Sequence, residues 1–243
     1  LRAAHAGGLP VLHLYVFDPF WYDNKTPICG YPKTGAVRTR FQIEAVADLA
    51  GRLLSLGHVL NTRRGISTAS AFEELSQDYA INGVFAFREI CSEELKVENQ
   101  VRELLRKRKQ GQLHLFWGFE LYHAEDLTFD PARARGPFNS YTSFRTRVEK
   151  DCWIRKSSQE TPKFRSGDAP VCWARADDGL PSVKEVMGKS YKNALDPGKG
   201  KDPRAEFKWI GGETAALDRV EKYLWEDDSL GIDYVGATMT TDP

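Results

Sequence analysis

Charged and aromatic residues that could bind a small ligand stand where the apolar runs of this sequence end. The residues are Asp18, Pro19, Phe20, Arg63, Arg64, Arg88, Glu89 and Trp117. If each apolar run is a parallel strand, these side chains lie at the carboxyl edge of a sheet. Open α/β folds bind their ligands at that edge. These residues are therefore the first candidates for a pocket.

The same residues indicate no catalytic centre. Ser, His and Asp residues, and likewise Cys and His residues, do not fall at spacings that assemble a nucleophile. Gly188-Lys189-Ser190 resembles the end of a phosphate-binding loop, but that loop requires a glycine where Val183 stands. The four cysteines form no CxxC pair, so no zinc site is indicated. We assign no catalytic residue and no metal ligand.

Apolar runs alternate with amphipathic segments in the first half of the chain. The runs predict strands at 10–17, 58–64, 83–87 and 112–118, and the amphipathic segments predict helices at 37–56, 67–79 and 92–109. Strands that alternate with helices of this length form right-handed crossovers. The sequence therefore predicts an α/β fold with a doubly wound, mainly parallel, Rossmann-like sheet.

The second half of the chain has a different composition. Proline, glycine and charged residues become frequent from residue 128 to 208, which predicts a long connector with one short helix near 138–151. Within it, residues 187–208 carry six basic and three acidic residues. We interpret that stretch as a solvated loop, because the aromatic residues that would stack nucleic-acid bases are sparse.

A last amphipathic helix is predicted at 211–225, with the sequence GGETAALDRVEKYLW. One of its faces carries Ala216, Leu217, Val220 and Leu224. Such a helix opens a new structural unit, and the residues after it are expected to be too few for a core. The predicted organisation is an α/β domain at 1–127, a connector at 128–208 and the start of a helical region at 209–243.

The composition indicates a globular protein without a strong electrostatic field. Lys plus Arg and Asp plus Glu both number 34, so the formal net charge is zero. A balanced chain has no global attraction to nucleic acid, and non-specific DNA binding is not expected. No apolar run approaches the ~20 residues that span a bilayer, so an integral membrane protein is not expected. Dispersed cysteines favour a reducing compartment.

Five segments occur in the order found in one protein family. They are VFDP…PKTGAVRTRFQIEAVADL (16–49), FREICSEEL (87–95), LFWGFELYHAEDLTF (115–129), YTSFRTRVEK (141–150) and GGETAALDRVEKYLW (211–225). Together they resemble the N-terminal half of the photolyase and cryptochrome family, and most of all the DASH-type cryptochromes. The resemblance spans nearly the whole chain.

The resemblance implies a larger architecture than these residues provide. Family members join an α/β domain, through a long connector, to a helical domain that holds flavin adenine dinucleotide, and 211–225 resembles the start of that domain. Tyr234 alone matches a flavin-contacting position. The resemblance therefore implies that this chain by itself holds no flavin adenine dinucleotide and repairs no DNA. It also implies that the first, central strand is missing ahead of Leu1, and we expect upstream residues or a partner strand to fill that gap.

The resemblance further implies an antenna site. DASH-type members hold a folate, methenyltetrahydrofolate, between their two domains, where an acidic residue of the REICSEE region hydrogen-bonds the pterin ring. Glu89 is the first candidate for this contact and Glu93 the second. In the alternative interpretation Glu89 only ends a strand and Glu93 only stabilises a helix N-terminus.

Three hypotheses for the function follow. The first is a non-catalytic binding or structural subunit of a larger assembly, with a protein partner that buries more than ~1,000 Å² against the connector or the 211–225 helix. The second is part of a full DASH-type cryptochrome, which is a blue-light flavin photoreceptor or a single-strand DNA photolyase. The third is a stand-alone folate antenna domain. Enzymatic activity is expected only if a flavin domain follows, and the resemblance implies an organelle, with the chloroplast first.

Overall fold

The computed structural model describes residues 1–118, 120–130, 140–155, 170–193 and 209–226. Packing separates two compact units. The first unit comprises Leu1–Leu9 and Phe72–Arg165, and the second unit comprises Pro10–Ala71 and Ser166–Pro243. Each unit contains two of the described strands. The boundaries predicted after residues 127 and 208 stay predictions.

Helices account for much of the described chain. In order they are α1 Arg2–Ala6, α2 Pro19–Tyr22, α3 Ala36–Ser55, α4 Thr68–Asp78, α5 Ser92–Lys107, α6 Tyr141–Asp151, α7 Val183–Met187 and α8 Glu213–Glu221. Short 3-10 turns lie at Ala124–Asp126, before α6, and at Gly188–Asn193, after α7. A π-helical turn, Lys222–Glu226, continues α8. The sequence predicted α3, α4 and α5 to within a few residues. It missed α1, α2 and α7, because elements of five residues or fewer show no periodicity.

The described strands are β1 His13–Phe17, β2 Leu60–Arg64, β3 Gly83–Phe87 and β4 Gln112–Phe116. They form two parallel pairs. β1 runs alongside β2, from His13 opposite Leu60 onward, and β3 runs alongside β4, from Gly83 opposite Gln112 onward. The predicted α/β class with parallel strands is confirmed, and all four strands lie where the apolar runs placed them. The missing central strand stays a prediction.

Local signals explain where the long helices begin and end. α3 ends at Ser55, Leu56 is its C-cap residue, and Gly57 follows in the left-handed region with φ +82°. Glycine adopts that conformation without strain, so it ends the helix and turns the chain towards β2. α5 has Glu93 and Glu94 in its first turn and basic residues in its last, and both ends thus complement the helix dipole.

The core of the second unit joins β1, α2, α3 and α7. It contains buried Phe17, Tyr22, Val46 and Val186, with partly buried Tyr15, Trp21, Ile43 and Leu60 packed against them. Burial raises the pKa of the Tyr22 hydroxyl, whose oxygen lies 3.3 Å from that of Tyr15. Val186 comes from the predicted connector, so part of that segment belongs to the core. In the first unit α5 packs against β4, and its Val101 and Leu105 are buried.

Asn61 of β2 ties the connector to the sheet of the second unit. Its Nδ2 donates to the carbonyl oxygens of His13 and Val171, at 3.1 and 2.9 Å, and its Oδ1 accepts from the backbone N–H of Trp173 at 2.7 Å. The side-chain amide thus makes the bonds that a peptide group of another strand would make. Asn61 and Trp173 are both buried.

Two aspartates extend this attachment. Asp177 donates its backbone N–H to the Thr62 oxygen at 2.8 Å, and its carboxylate accepts from the Arg64 N–H at 2.7 Å. Asp23, which follows α2, accepts from the Ser190 N–H at 2.8 Å. The interpretation of 187–208 as a solvated loop is therefore wrong at its beginning, where Met187 is also fully buried. Residues 194–208 lie outside the described residues.

Replacing Asn61 with leucine tests this attachment. Leucine matches the amide in size but removes its hydrogen bonds to three backbone groups, two of them buried, so Asn61→Leu is expected to lower the free energy of unfolding by about 3 kcal/mol. Urea unfolding followed by tryptophan fluorescence measures the loss. Asn99→Leu makes the same change on an exposed face of α5 and should cost much less. Equal effects of the two substitutions would contradict the role of Asn61.

Candidate functional site

The carboxyl ends of β3 and β4 carry the first predicted site residue. The ladder continues one residue past the strands, because the Arg88 N–H donates to the Phe116 oxygen at 2.9 Å. Glu89 and Trp117 follow directly, so they occupy the same end of this strand pair, as expected from the parallel arrangement. Both side chains are half-buried.

Glu89 lies among other carboxylates. Its backbone N–H donates to Oε1 of Glu98 at 2.7 Å. Burial raises the pKa of the Glu89 carboxyl, and the negative charges of Glu94, Glu98 and Glu120 raise it further. Such a group keeps its proton to a higher pH than an ordinary glutamate, and its protonated form can both donate and accept a hydrogen bond. The arrangement suits a ligand that offers N–H donors.

Glu93 lies in the first turn of α5 and is half-buried. This is the helix-start position that the alternative interpretation expected for it. The sequence did not single out Glu98 or Glu120 as neighbours of Glu89. Glu94 and Glu98 share a face of α5 through their four-residue spacing, which was a usable signal once a helix was predicted there. Whether Glu89 or Glu93 binds a folate stays a prediction.

Trp117 lies at the same end of this strand pair as Glu89. Trp117 makes an edge contact with His123, at 6.5 Å between ring centroids, and its buried Nε1 meets no acceptor within the described residues. Arg155 donates to both carboxylate oxygens of Asp126, at 2.5 and 2.8 Å, and so holds the short turn that follows His123. The strand end therefore combines an acidic group with an indole N–H.

The strand-end residues of the second unit have structural roles instead. The buried Asp18 carboxylate accepts from the Phe20 N–H at 2.9 Å and from both the N–H and the hydroxyl of Thr68, at 2.6 and 2.9 Å. It thereby caps α2 and fixes the start of α4. Arg63 pairs with Asp177 at 3.5 Å, and Arg64 pairs with Glu185 at 3.4 Å. Arg63 and Arg64 thus hold the connector, and Asp18 holds two helix starts. Whether these residues also line a pocket stays a prediction.

Two of the motifs singled out in the sequence meet in the second unit. The motif FQIEAVADL lies on α3, and GGETAAL begins α8. Glu44 accepts from the Gly211 N–H at 2.8 Å, Asp48 accepts from the N–H groups of Glu213 and Thr214, and Arg52 pairs with Glu213. We name Glu44, Asp48 and Arg52 the α3 charged stripe. This contact was not predicted from the sequence.

The apolar face predicted for the last helix is exposed. Leu217 is 57%, Val220 50% and Leu224 54% exposed, and we name these three residues the apolar stripe. The half-buried line of α8 is instead formed by Ala215, Arg219 and Tyr223. An amphipathic helix ordinarily buries its apolar face, so this orientation leaves a surface suited to a partner.

Some predicted features fall outside the described residues, including Tyr234 and the basic residues Lys199, Lys201, Arg204 and Lys208. Within the described part of the chain, no helix has both the length and the apolar character needed to cross a membrane.

Known proteins resemble this chain in sequence and in structure. Residues 1–164 match the family described as DNA photolyase. Cryptochrome DASH, chloroplastic/mitochondrial, of Oryza sativa subsp. japonica is 33% identical over 94% of this chain and 39% of its own length. The Arabidopsis thaliana protein of the same name is 30% identical over 91% of this chain and 36% of its own length. The chain thus spans less than half the length of these relatives.

A solved structure shows the same relation. The cryptochrome of Synechocystis sp. aligns with a TM-score of 0.71 and 25% identity, over 95% of this chain and 44% of that chain. The family match covers most of the chain, and the sequence and structural relatives agree with it. The chain therefore belongs to the photolyase and cryptochrome family and corresponds to the N-terminal part of DASH-type cryptochromes.

Proposed function

We propose that this chain serves as the α/β and connector part of a DASH-type cryptochrome and presents the surface on which a flavin-binding helical part packs. The exposed apolar stripe of α8 carries this proposal. Three aliphatic side chains, each about half exposed, lie on one face of a helix that is itself anchored at its start. Burial of the exposed half of such side chains stabilises an interface by about 1 kcal/mol each.

The flavin would belong to the complete assembly. An isoalloxazine ring needs an enclosing cavity, and its diphosphate needs several donors. In the family, by resemblance, the helical part supplies both. The chain alone is therefore proposed to hold no flavin adenine dinucleotide and to repair no DNA, and blue-light chemistry is proposed for the assembly.

A non-catalytic binding subunit is the other function that the apolar stripe favours. It predicts a different partner on the same surface, one that brings no flavin. The identity of the partner therefore distinguishes the two functions.

The test combines the purified chain with the part of the rice relative that lies beyond the matched region, in the presence of flavin adenine dinucleotide. A complex that retains flavin absorption after gel filtration is expected. Val220→Asp should weaken the complex at least tenfold, because it places a charge in the middle of the apolar stripe. Ile28→Asp is the matched control, since Ile28 is 94% exposed in a loop of the second unit.

Two results would contradict the proposal. One is stoichiometric flavin bound to the chain without the helical part. The other is a flavin-free complex of the chain with a different protein that buries the apolar stripe, which would establish the non-catalytic subunit instead.

A folate antenna contact at Glu89 is the second function that a specific observation favours. The Glu89 carboxyl is half-buried at a strand end, with its pKa raised by burial and by neighbouring carboxylates. A pterin ring offers N–H donors that would bind such a group. We propose methenyltetrahydrofolate as the ligand, with Glu89 as the contact and Glu93 as the alternative.

Substitutions of the two glutamates test the folate contact. Glu89→Gln is expected to lower the affinity of the reconstituted complex for methenyltetrahydrofolate about tenfold, because a charge-assisted hydrogen bond is replaced by a neutral one. Glu93→Gln should leave the affinity unchanged. Titration followed by folate fluorescence measures the affinity of each variant. The opposite pattern would assign the contact to Glu93, and wild-type affinity in both variants would exclude both residues.

An organelle is the proposed location, with the chloroplast first. The rice and Arabidopsis relatives are both named chloroplastic/mitochondrial. Imaging of a fluorescent fusion to the product of the complete transcript tests this, and fluorescence confined to the cytosol would contradict it.

A further inference from the structure

We propose that the α3 charged stripe is a positioning device that sets the direction in which α8 leaves the second unit, with Asp48 as its central positioning residue. The proposal rests on the proposed function, because the direction of α8 would determine where the helical part lies. The new element is the set of residues that would fix the direction of α8.

α8 has no capping side chain of its own. Its N-cap residue is Gly212, and the first N–H groups of a helix need acceptors from elsewhere. Asp48 supplies them from α3, since its carboxylate accepts from the Glu213 N–H at 3.0 Å, the Thr214 N–H at 3.3 Å and the Thr214 hydroxyl at 2.5 Å. A negative charge at this position also complements the helix dipole.

The two flanking members of the stripe prevent α8 from pivoting about Asp48. Glu44 lies one turn before Asp48 on α3 and binds the Gly211 N–H at 2.8 Å. Arg52 lies one turn after Asp48 and pairs with Glu213. A single contact would permit rotation of α8 on α3. Three contacts spaced four residues apart define a direction.

Gly211 and Gly212 allow the start of α8 to approach α3 closely. Gly212 has φ +115°, and a Cβ there would lie 2.7 Å from the Asp48 Cβ. A Cβ at Gly211 would collide with the backbone oxygen of Phe41. Any larger residue at either position would push α8 away from α3. The glycines that opened the predicted helix therefore serve the contact with the α3 charged stripe.

The polar contacts leave the apolar stripe turned outward. Without them, α8 would gain by turning Leu217, Val220 and Leu224 towards its own unit, because exposed aliphatic surface is unfavourable in water. The α3 charged stripe thus keeps these side chains available to a partner.

Charge makes this device dependent on pH. The Thr214 side chain lowers the pKa of the Asp48 carboxyl most, and the N–H groups of Thr214 and Glu213 and the charge of Arg52 lower it further. A carboxyl whose pKa is lower in the folded state adds stability above its unfolded pKa and loses it as the pH falls. Among the described residues, the charged groups near Asp48 are Glu213 of α8 and Glu44 and Arg52 of α3. Acid should therefore loosen α8 before the rest of the unit unfolds.

Amide hydrogen exchange of the purified chain tests the proposal without any flavin. Asp48→Asn is expected to speed exchange at Glu213–Leu217 about threefold, because its amide oxygen can still accept a hydrogen bond but the negative charge that complements the helix dipole is lost. Gly212→Ala should act similarly. Asp218→Asn is the matched control, because it removes the same charge from an exposed position of α8. Wild-type protection, corrected for intrinsic rates, should fall in acid, and that of Asp48→Asn should fall less, because the Asp48 carboxylate no longer contributes to the pH dependence.

The outcomes separate this proposal from the proposed function. Equal exchange in the Asp48→Asn and Asp218→Asn proteins, or equal pH profiles of the wild-type and Asp48→Asn proteins, would overturn the positioning role whatever the flavin experiment gives. If the wild-type chain binds no helical part but Asp48→Asn still loosens α8, the positioning role stands and the cryptochrome role falls. In a flavin-retaining complex, Asp48→Asn should lower flavin retention while Asp218→Asn should not.

Discussion

Backbone N–H groups of distant segments are satisfied in the second unit by short carboxylate and amide side chains, and its architecture depends on this. The pairs are Asp18 with Thr68, Asn61 with Trp173, Asp23 with Ser190, and Asp48 with Glu213. The donors lie at the starts of α4 and α8, in the 3-10 turn Gly188–Asn193 and in the extended segment that contains Trp173. The connector residues 170–193 and helix α8 are therefore parts of the folded unit.

Attachment of α8 through polar contacts leaves apolar surface exposed. Apolar packing would bury the apolar stripe of α8, whereas contacts between backbone groups and the α3 charged stripe leave it exposed. The orientation of α8 is thus fixed by polar contacts while its apolar stripe stays exposed to solvent. Membership in a family whose relatives are more than twice as long gives that face a natural explanation in the proposed helical part.

The two strand pairs differ in how their carboxyl ends are used. In the second unit, Asp18, Arg63 and Arg64 all bind other parts of the protein. In the first unit, Glu89 stands among carboxylates that raise its pKa, and the indole N–H of Trp117 meets no described acceptor. Polar groups whose environment disfavours their ordinary state are those most available to a ligand. Glu89, the residue proposed for the folate contact, lies in the first unit.

Much of the fold followed from local pattern. Apolar runs placed all four described strands, helical spacing placed α3, α4 and α5, and the order of five motifs led to the family. The site followed only in part: Glu89 was placed at a strand end, but its neighbours Glu98 and Glu120 were not foreseen. The short helices α2 and α7 escaped because they span little more than one turn.

The sequence by itself determined the α/β class, the long elements and the family, because each depends on periodicity or motif order within a continuous stretch. Only the tertiary structure decided that Asn61 binds the connector, that Asp48 caps α8 and that the apolar stripe faces outward. Asn61 and Asp48 bind residues more than 100 positions away. A carboxylate or amide can accept from any donor that comes within reach, so its partner depends on how the folded segments approach one another.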